Sequence, residues 1–179
     1  MLRHGLPAIV FLFLSIQSAF AYEPVVMKEG VDHVRLGPQM DYLEDANGEW
    51  SIEDVSSGPV AEKFKPLEMA FPNFGLTRSA YWFKFEVVNS TNTPKAFFLE
   101  QESPWMTHVD IYIERPIGGF DHRQAGSRFP FHQREIEHNH FLFKFDVGEA
   151  GSKLIFARLE TNAPFAAPLN FPRIDGQNV

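Results

Sequence analysis

Alternation of apolar and polar residues along several Phe-rich stretches is the feature that most limits the folds open to this chain. The clearest case is 81–87, where Tyr, Phe, Phe and Val occupy every second position. The same alternation occurs over 107–114, 137–147 and 153–161. Because successive side chains of a strand point to opposite faces, each stretch presents one apolar face and one more polar face. The pattern predicts strands that bury one face in a core.

Weaker signals add further elements between these stretches. Additional strands are predicted at 34–36, 41–43, 96–101 and 169–174. One helical turn is expected at 51–55, where Ser51 and Asp54 have the spacing of a capping box, and Gly58-Pro59 is expected to end it. About eight or nine strands with one helical turn favour an all-β fold, an antiparallel β-sandwich such as a jelly roll.

Residues 1–21 have the layout of a secretory signal peptide. A basic start at Arg3 precedes an apolar run, and Ala19 and Ala21 provide the small residues that signal peptidase reads. The alternative is a membrane anchor, but the apolar run of roughly 11 residues is shorter than the ~20 that cross a bilayer. We therefore expect cleavage after Ala21 and an exported β-sandwich domain over 22–179.

Charge and composition exclude several classes of partner. Removing residues 1–21 takes away Arg3 and no acidic residue, so the formal charge goes from −7 to −8. An acidic surface repels phosphate backbones, which argues against nucleic acid, and no basic run suggests binding to anionic lipid. The chain has no Cys, so a core rich in its 19 Phe residues, rather than disulfides, must stabilise the exported domain.

Four stretches together resemble a known receptor-domain family. They are 41–45 with 50–55 (Asp-Tyr-Leu-Glu-Asp, then Trp-Ser-Ile-Glu-Asp-Val), 73–85 (Asn-Phe-Gly-Leu-Thr-Arg-Ser-Ala-Tyr-Trp-Phe-Lys-Phe), 102–105 with 109–112 (Glu-Ser-Pro-Trp, then Val-Asp-Ile-Tyr), and 126–131 (Gly-Ser-Arg-Phe-Pro-Phe) followed by Arg134, His138 and Phe141 to Phe145. From about Val31 to Phe171 their order and spacing resemble the 7TMR-DISM extracellular type 2 domain.

The resemblance implies a jelly-roll sandwich akin to carbohydrate-binding modules, acting as the periplasmic sensor of a seven-transmembrane receptor. Family members usually continue into membrane helices and a cytoplasmic histidine kinase, diguanylate cyclase or phosphatase-type module. No membrane segment appears before Val179. We therefore expect either an excised sensor domain, whose partner is a membrane-embedded signalling module, or a stand-alone relative.

The polar strand faces supply the candidate ligand site. Aromatic rings beside hydrogen-bonding groups suit a sugar, whose C–H face stacks on a ring while its hydroxyls need donors and acceptors. The alternative is a solvated face, or one covered by a loop. Residues expected to project from one sheet are Trp82, Lys84, Glu86, His108, Asp110, Tyr112, His138, His140, Arg158 and Glu160. The predicted ligand-binding set is Trp82, Trp105, His108, Asp110, Tyr112, Arg134, His138, His140 and Arg158.

Several of these residues have a second interpretation. His138 and His140 could chelate a metal, with His108, Asp110 or His132 as a third ligand, but a hydrogen bond within the sheet is favoured, and no metal or cofactor is predicted.

Loop residues also carry alternatives. Arg134 and Arg78 could each clamp an anionic ligand or tie a loop to backbone carbonyls or an acid. Trp105 could form a platform at the rim or a hydrophobic plug. Asn73-Phe74-Gly75 is interpreted as a turn with Gly75 at a φ that other residues resist.

No catalytic motif is present: there is no Gly-x-Ser-x-Gly, phosphate loop, His-Glu-x-x-His or Cys. The chain is predicted not to be an enzyme, although a glycosidase carboxylate pair stays open. The leading hypothesis is a periplasmic sensor of a small molecule, such as a glycan. The alternatives are a ligand-free interaction or homodimerisation module, and a secreted carbohydrate-binding module.

Overall fold

A computed structural model describes residues 23–30 and 33–172 of the chain. In chain order the strands are β1 (Val25–Met27), β2 (Val34–Leu36), β3 (Asp41–Asp45), β4 (Lys65–Pro66), β5 (Asn73–Gly75), β6 (Ala80–Asn89), β7 (Lys95–Gln101), β8 (His108–Glu114), β9 (Phe120–Ala125), β10 (Phe141–Val147), β11 (Ser152–Glu160), β12 (Phe165–Ala166) and β13 (Leu169–Phe171). The helical turns are α1 (Ile52–Ser56), α2 (Gly58–Ala61) and a 3-10 turn at Phe131–Gln133. The predicted signal peptide, residues 1–21, lies outside the described residues.

The described strands form a sandwich of two main sheets. The first sheet has the order β4-β3-β6-β11-β8-β9, with β1 added parallel to β6. The second sheet has the order β10-β7-β13-β2, and β12 and β5 form a small separate pair. The other pairings are antiparallel, and β6, β7 and β8 alternate between the two main sheets. The predicted all-β antiparallel sandwich is confirmed.

The core between the main sheets contains the side chains predicted to face inward on the four alternating stretches, together with residues of β7 and β13 for which no inward face was predicted. Tyr81, Phe83, Phe85, Val87, Val109, Ile111, Ile113, Ile155, Ala157 and Leu159 come from the first sheet, and Phe97, Leu99, Phe141, Phe143, Phe145, Leu169 and Phe171 come from the second. Phe85 and Phe171 meet edge to face across the sandwich, with ring centroids 6.3 Å apart. Burial of each such ring stabilises the fold by about 1.5–3 kcal/mol.

A second apolar cluster lies on the outer face of the first sheet. Its buried members are Leu43, Val55, Trp82 and Phe156, and partly buried side chains from the segment 50–64 pack against them. The centre of the first sheet is therefore covered on both faces. Strand β6 shows this directly, because Trp82 and Phe83 are neighbours in sequence and both are fully buried.

The covering segment begins with the predicted capping box. Ser51 Oγ accepts from the Asp54 N–H at 3.3 Å, and Asp54 Oδ2 accepts from the Ser51 N–H at 2.8 Å. Gly58-Pro59 does end α1, as expected, but a second helical turn, α2, begins there with Gly58 at φ 74°. Proline is tolerated in a first helical turn because its missing N–H has no partner there anyway.

Several predicted boundaries differ from the structure. The strand predicted over 137–147 begins only at Phe141. The strand predicted over 169–174 is observed as Leu169–Phe171, and positions 173–174 of that prediction lie outside the described residues. The predicted turn at 73–75 is strand β5, although Gly75 has the expected positive φ of 66°. Strands β1, β4, β9 and β12 were not predicted, because they are short or, in β9, mostly polar.

Asn89 ties together the loops at one end of the sandwich. Its side chain is fully buried, and Nδ2 donates to the carbonyls of Thr93, Val147 and Gly148 at 2.9–3.2 Å. Its Oδ1 accepts from the Thr91 N–H at 3.1 Å. One buried amide therefore serves both loops that follow β6 and β10.

We expect Asn89→Ala to lower the free energy of unfolding by about 3 kcal/mol, because it leaves several buried polar groups without a partner. Urea denaturation measures the loss. Asn92→Ala is the matched control, since Asn92 is exposed in the same loop, and it should change stability by less than about 0.5 kcal/mol. Equal effects of the two substitutions would contradict the role of Asn89.

Candidate functional site

The outer face of the first sheet carries most of the predicted ligand-binding residues. Strand register aligns Trp82 with Arg158 and Arg158 with Asp110, so these three side chains form one row across β6, β11 and β8. His108 is paired with Glu160 at the end of the same strands. Tyr112 lies in the next row, opposite His122 of β9. Which strands are neighbours does not follow from the sequence pattern, and the structure brings these residues together.

Trp82 is placed differently from the prediction of an accessible ring. Its side chain has 0% exposure and lies in the apolar cluster with Leu43, Val55 and Phe156. A ligand cannot reach this ring, so the expectation that Trp82 contacts ligand is wrong. Period-two alternation identifies the face of a side chain, but it does not distinguish a solvated face from one covered by a second layer.

The charged residues of this face mainly satisfy one another. Asp110 is 6% exposed, and its Oδ1 accepts from His122 Nε2 at 2.8 Å and from Gln124 Nε2 at 3.0 Å. Arg158 lies between two acids, with Nη1 3.8 Å from Asp110 Oδ2 and Nη2 3.2 Å from Glu160 Oε2. Because Asp110 and Arg158 are already paired, they are suited to positioning their neighbours.

A pocket of about 510 Å³ opens beside this network, between α1 and the β8–β9 hairpin. Its lining residues are Ile52, Glu53, Ser56, Tyr112, Arg115, Gly119, Phe120 and His122. Tyr112 and His122 stack in parallel, with ring centroids 4.5 Å apart and an interplanar angle of 9°. The stack continues from Tyr112 to Trp82, whose ring centroid lies 5.5 Å from that of Tyr112.

The Tyr112 hydroxyl keeps its proton throughout the physiological pH range. Burial raises the pKa of Tyr112 to about 12, and the negative charge of Asp110 adds to the effect. A neutral phenol can both donate and accept a hydrogen bond. The pocket therefore combines stacked rings with a neutral hydroxyl, a carboxylate at Glu53 and a guanidinium at Arg115.

His138 and His140 do not belong to this face, contrary to the prediction that they project from the same sheet. They lie in the connection that precedes β10, a strand of the second sheet. His140 Nδ1 donates to Glu100 Oε1 at 2.7 Å, and His138 Nδ1 accepts from the His140 N–H at 3.1 Å. The favoured interpretation, a hydrogen bond to the sheet, therefore describes His140.

Arg134 accounts for the irregular backbone before β10. Its Nη1 donates to the carbonyls of His138 and Asn139, and its guanidinium lies 4.6 Å from the ring centroids of both Phe131 and Phe141. Of the two roles left open for Arg134, the structure shows the tying of a loop. This tie bends the chain at 138–139, so the strand cannot begin at 137.

The remaining predicted residues lie in loops. Trp105 is 71% exposed, so its ring is not a plug, and its carbonyl accepts from Thr161 Oγ1 at 2.8 Å. Arg78 is exposed in the loop before β6. The residues that sequence reasoning missed are Glu53, Ser56, Arg115, Phe120 and His122. The weak alternation of Phe120 and His122 with charged neighbours was the one available signal.

The sequence matches a known protein family. A family model described as 7TMR-DISM extracellular 2 matches residues 37–172. The chain belongs to the 7TMR-DISM extracellular 2 family. A search of curated proteins found no match. Membership in the family points to an extracytoplasmic location and to a receptor context rather than to a catalytic domain. Among the residues that the structure describes, no helix has the length and apolarity needed to cross a membrane.

Residues that carry the 7TMR-DISM extracellular 2 resemblance are largely framework. Asp45 accepts from the N–H groups of Glu49 and Trp50 at 3.1 Å, which sets the turn into α1. A Cβ atom on Gly126 would lie 2.2 Å from the Thr107 carbonyl oxygen, so only glycine fits between β9 and β8 there. Asp45 and Gly126 therefore act as framework residues, and neither lines the pocket.

Substitution of the two tryptophans of the predicted site should affect the free energy of unfolding very differently. We expect Trp82→Ala to reduce the free energy of unfolding by about 3–5 kcal/mol, because it removes a fully buried ring. Trp105→Ala should change it by less than about 0.5 kcal/mol, because that ring is exposed. Chemical denaturation of both variants provides the measurement. A small loss for Trp82→Ala would show that the outer face of the first sheet is open to solvent.

Proposed function

We propose that this chain is the periplasmic ligand-sensing domain of a transmembrane signalling receptor and has no catalytic activity of its own. Its support is membership in a family of extracellular receptor domains over residues 37–172. The proposal places the ligand in the pocket between α1 and the β8–β9 hairpin. The stacked pair of Tyr112 and His122 is the single observation that carries this assignment.

The proposed ligand is carbohydrate-like. A sugar ring needs an aromatic surface for its C–H face and a mixture of donors and acceptors for its hydroxyls. His122 supplies the ring surface, because Tyr112 is already stacked between His122 and Trp82, Glu53 supplies an acceptor, and Arg115 and Ser56 supply donors. His122 is held by the buried Asp110 at 2.8 Å, so its orientation is fixed before a ligand arrives. Preorganisation of this kind reduces the ordering cost of binding.

Signalling follows from the two walls of the pocket. One wall is α1, a short segment attached to the sheet by Val55 and its neighbours, and the other is the β8–β9 hairpin. A ligand that contacts both walls favours the arrangement in which they are closest. It can bias a receptor only through different affinities for two arrangements, and contact with a separately attached segment provides that difference.

The proposal assigns supporting roles to other predicted residues. Asp110 positions His122, and Arg158 balances the charges of Asp110 and Glu160. His108 lies at the edge of this network, 3.9 Å from Glu160. None of these three lines the pocket.

Isothermal titration against a panel of mono- and oligosaccharides tests the ligand. We expect at least one saccharide to bind, and Glu53→Gln to weaken its affinity about tenfold, because a lost charge-assisted hydrogen bond is worth about 1.4 kcal/mol. Glu53 is exposed on α1, so the substitution leaves the packing intact. Glu68→Gln is the matched control at an exposed position outside the pocket and should bind as wild type does.

His122→Gln provides a second pocket variant that removes an aromatic ring. If no saccharide binds, or if Glu53→Gln and His122→Gln bind as tightly as Glu68→Gln, the pocket assignment is wrong.

A protein-interaction module is the second candidate function. Leu76 and Trp105 are 85% and 71% exposed. They precede β6 and β8, which both run antiparallel to β11, so both side chains lie at the same end of the sandwich. Exposed large apolar side chains at one end suit contact with a second copy or with another receptor segment.

Sedimentation of residues 22–179 separates the two candidates. A monomer at all concentrations that binds a saccharide supports the sensor; a dimer that Trp105→Ala weakens, without any saccharide response, supports the interaction module. A secreted carbohydrate-binding module would share the pocket, and the coding sequence beyond codon 179 distinguishes it.

A further inference from the structure

Three side chains with metal-binding atoms converge on the outer face of the second sheet. Glu100 comes from β7, and His138 and His140 come from the connection before β10. One ligand atom of each residue lies within 4.8 Å of the other two. We propose that Glu100, His138 and His140 form a binding site for a divalent transition metal ion of the zinc class. The site is independent of the saccharide pocket, which lies on the other sheet.

Strand register brings Glu100 and His140 together. Glu100 is paired with Leu142 across β7 and β10, and both side chains point outward. His140 lies two residues before Leu142, so it points to the same face as Glu100. The 2.7 Å separation of His140 Nδ1 and Glu100 Oε1 is the result.

The third ligand, His138, is placed by Arg134, which bends the chain. Because its guanidinium binds the carbonyls of His138 and Asn139, the backbone turns and brings the two imidazoles next to each other. Their ring centroids are 5.3 Å apart, and their planes are inclined at 78°. His138 is half-buried, so its ring has room to rotate toward a shared ion.

The chemistry of the three ligands fits zinc. Two imidazole nitrogens and one carboxylate oxygen are a recurrent protein ligand set for this ion, with water in the fourth position. Bond lengths of about 2.0–2.2 Å place tetrahedral ligand atoms roughly 3.3 Å apart. Because the ligand atoms already lie within 4.8 Å of one another, no separation must shrink by more than about 1.5 Å, which is within reach of rotation about the side-chain bonds of His138.

Binding also redistributes hydrogen bonds. Imidazole nitrogens that ligate a metal must be free of protons, so the contact between His140 and Glu100 is replaced by two metal bonds. The hydrogen bond from the His140 N–H to His138 Nδ1 is weakened or lost. Both changes exchange a hydrogen bond for a stronger metal–ligand bond.

Glu100 is oriented from behind, as metal-binding carboxylates commonly are. It is only 8% exposed, and its second oxygen, Oε2, accepts from Asn170 Nδ2 at 3.2 Å. The same amide donates to Glu102 Oε1 at 2.6 Å, and Glu102 lies 3.7 Å from the Arg35 guanidinium. Asn170 is fully buried, so this arrangement directs Oε1 toward the imidazoles. A carboxylate with so little exposure is stabilised by a cation.

The bound ion would fasten the long connection between β9 and β10 to the second sheet. Residues 126–140 form this connection, and both imidazoles lie at its end. An ion that binds β7 through Glu100 and the connection through two imidazoles stabilises the folded state over the unfolded one.

Titration of the untagged chain, first stripped with a chelator, tests the site. We expect zinc chloride to bind with a stoichiometry of one and to raise the Tm by roughly 5–10 °C at a hundredfold excess over Kd. Calcium and magnesium should have a much smaller effect, because they prefer all-oxygen ligand sets.

Substitutions locate the ion. Glu100→Gln and His138→Ala should each lower zinc affinity by at least about tenfold. His132→Ala is the matched control, because His132 is exposed in the same connection and is not part of the cluster. Melting each variant without zinc establishes that its fold is intact, and His138→Ala removes only a half-buried ring, so a usable variant is expected.

A selective loss in Glu100→Gln and His138→Ala, with His132→Ala unchanged, supports the proposal. It is overturned if zinc does not shift the Tm, if calcium is equally effective, or if the three variants respond as wild type does, which would indicate adventitious binding. Saccharide binding by the same variants is measured separately. A negative result for the zinc site therefore leaves the conclusion about the saccharide pocket unchanged, and the reverse also holds.

Discussion

Burial of β6 on both faces is the constraint on which the rest of this structure depends. Its inward side chains, such as Phe83, pack between the sheets, and its outward Trp82 packs under the segment 50–64. Each fully buried aromatic ring of this kind stabilises a fold by several kcal/mol relative to a small side chain, about 3–5 by truncation. Because the centre of the first sheet is closed in this way, the cavities on its outer face open to either side of the covering segment: the proposed pocket at the β8–β9 edge, and a second cavity of about 510 Å³ beside β3 and β4.

The covering segment is attached by local bonds at its start and by packing in its middle. Asp45 fixes the turn before it, and the capping box of Ser51 and Asp54 begins α1. The hydrogen bond from the Ser51 backbone lowers the pKa of Asp54, so this carboxyl stays ionised and continues to accept. Farther along, α2 has no side-chain cap and no buried residue. The segment is held again beyond α2, where Phe64 packs edge to face on Phe156 and β4 pairs with β3. Of the two helical turns, α1, which forms a wall of the pocket, is the better anchored.

Much of the sandwich could be predicted from the sequence, because alternation determines which face of a strand is apolar. The inward residues of β6, β8, β10 and β11 follow from it directly. Alternation gives no information on which strands are neighbours, so His138 and His140 were assigned to the wrong sheet. It also does not reveal a second layer, which is why Trp82 was expected at the surface. Strand β9 escaped prediction because Asp121 and Arg123, on the face opposite His122, are charged, so the strand has no apolar alternation. The prediction therefore missed His122, one of the two stacked rings of the pocket. The bend at His138 depends on Arg134 reaching two carbonyls, a contact that no local pattern encodes.

The two proposed sites lie on opposite outer faces, yet one contact joins the elements that carry them. Arg123 of β9 pairs with Glu135 at 2.7 Å, and Arg123 Nη1 also donates to the Lys144 carbonyl of β10. Glu135 in turn accepts from the Lys144 N–H at 3.0 Å. This group connects the strand that holds His122 to the strand that follows His140, across the open edge of the sandwich. Any influence of one site on the other requires an element with two arrangements that both ligands bias. The β9–β10 connection links the two sites along the chain, since it begins after the strand of His122 and ends at His140.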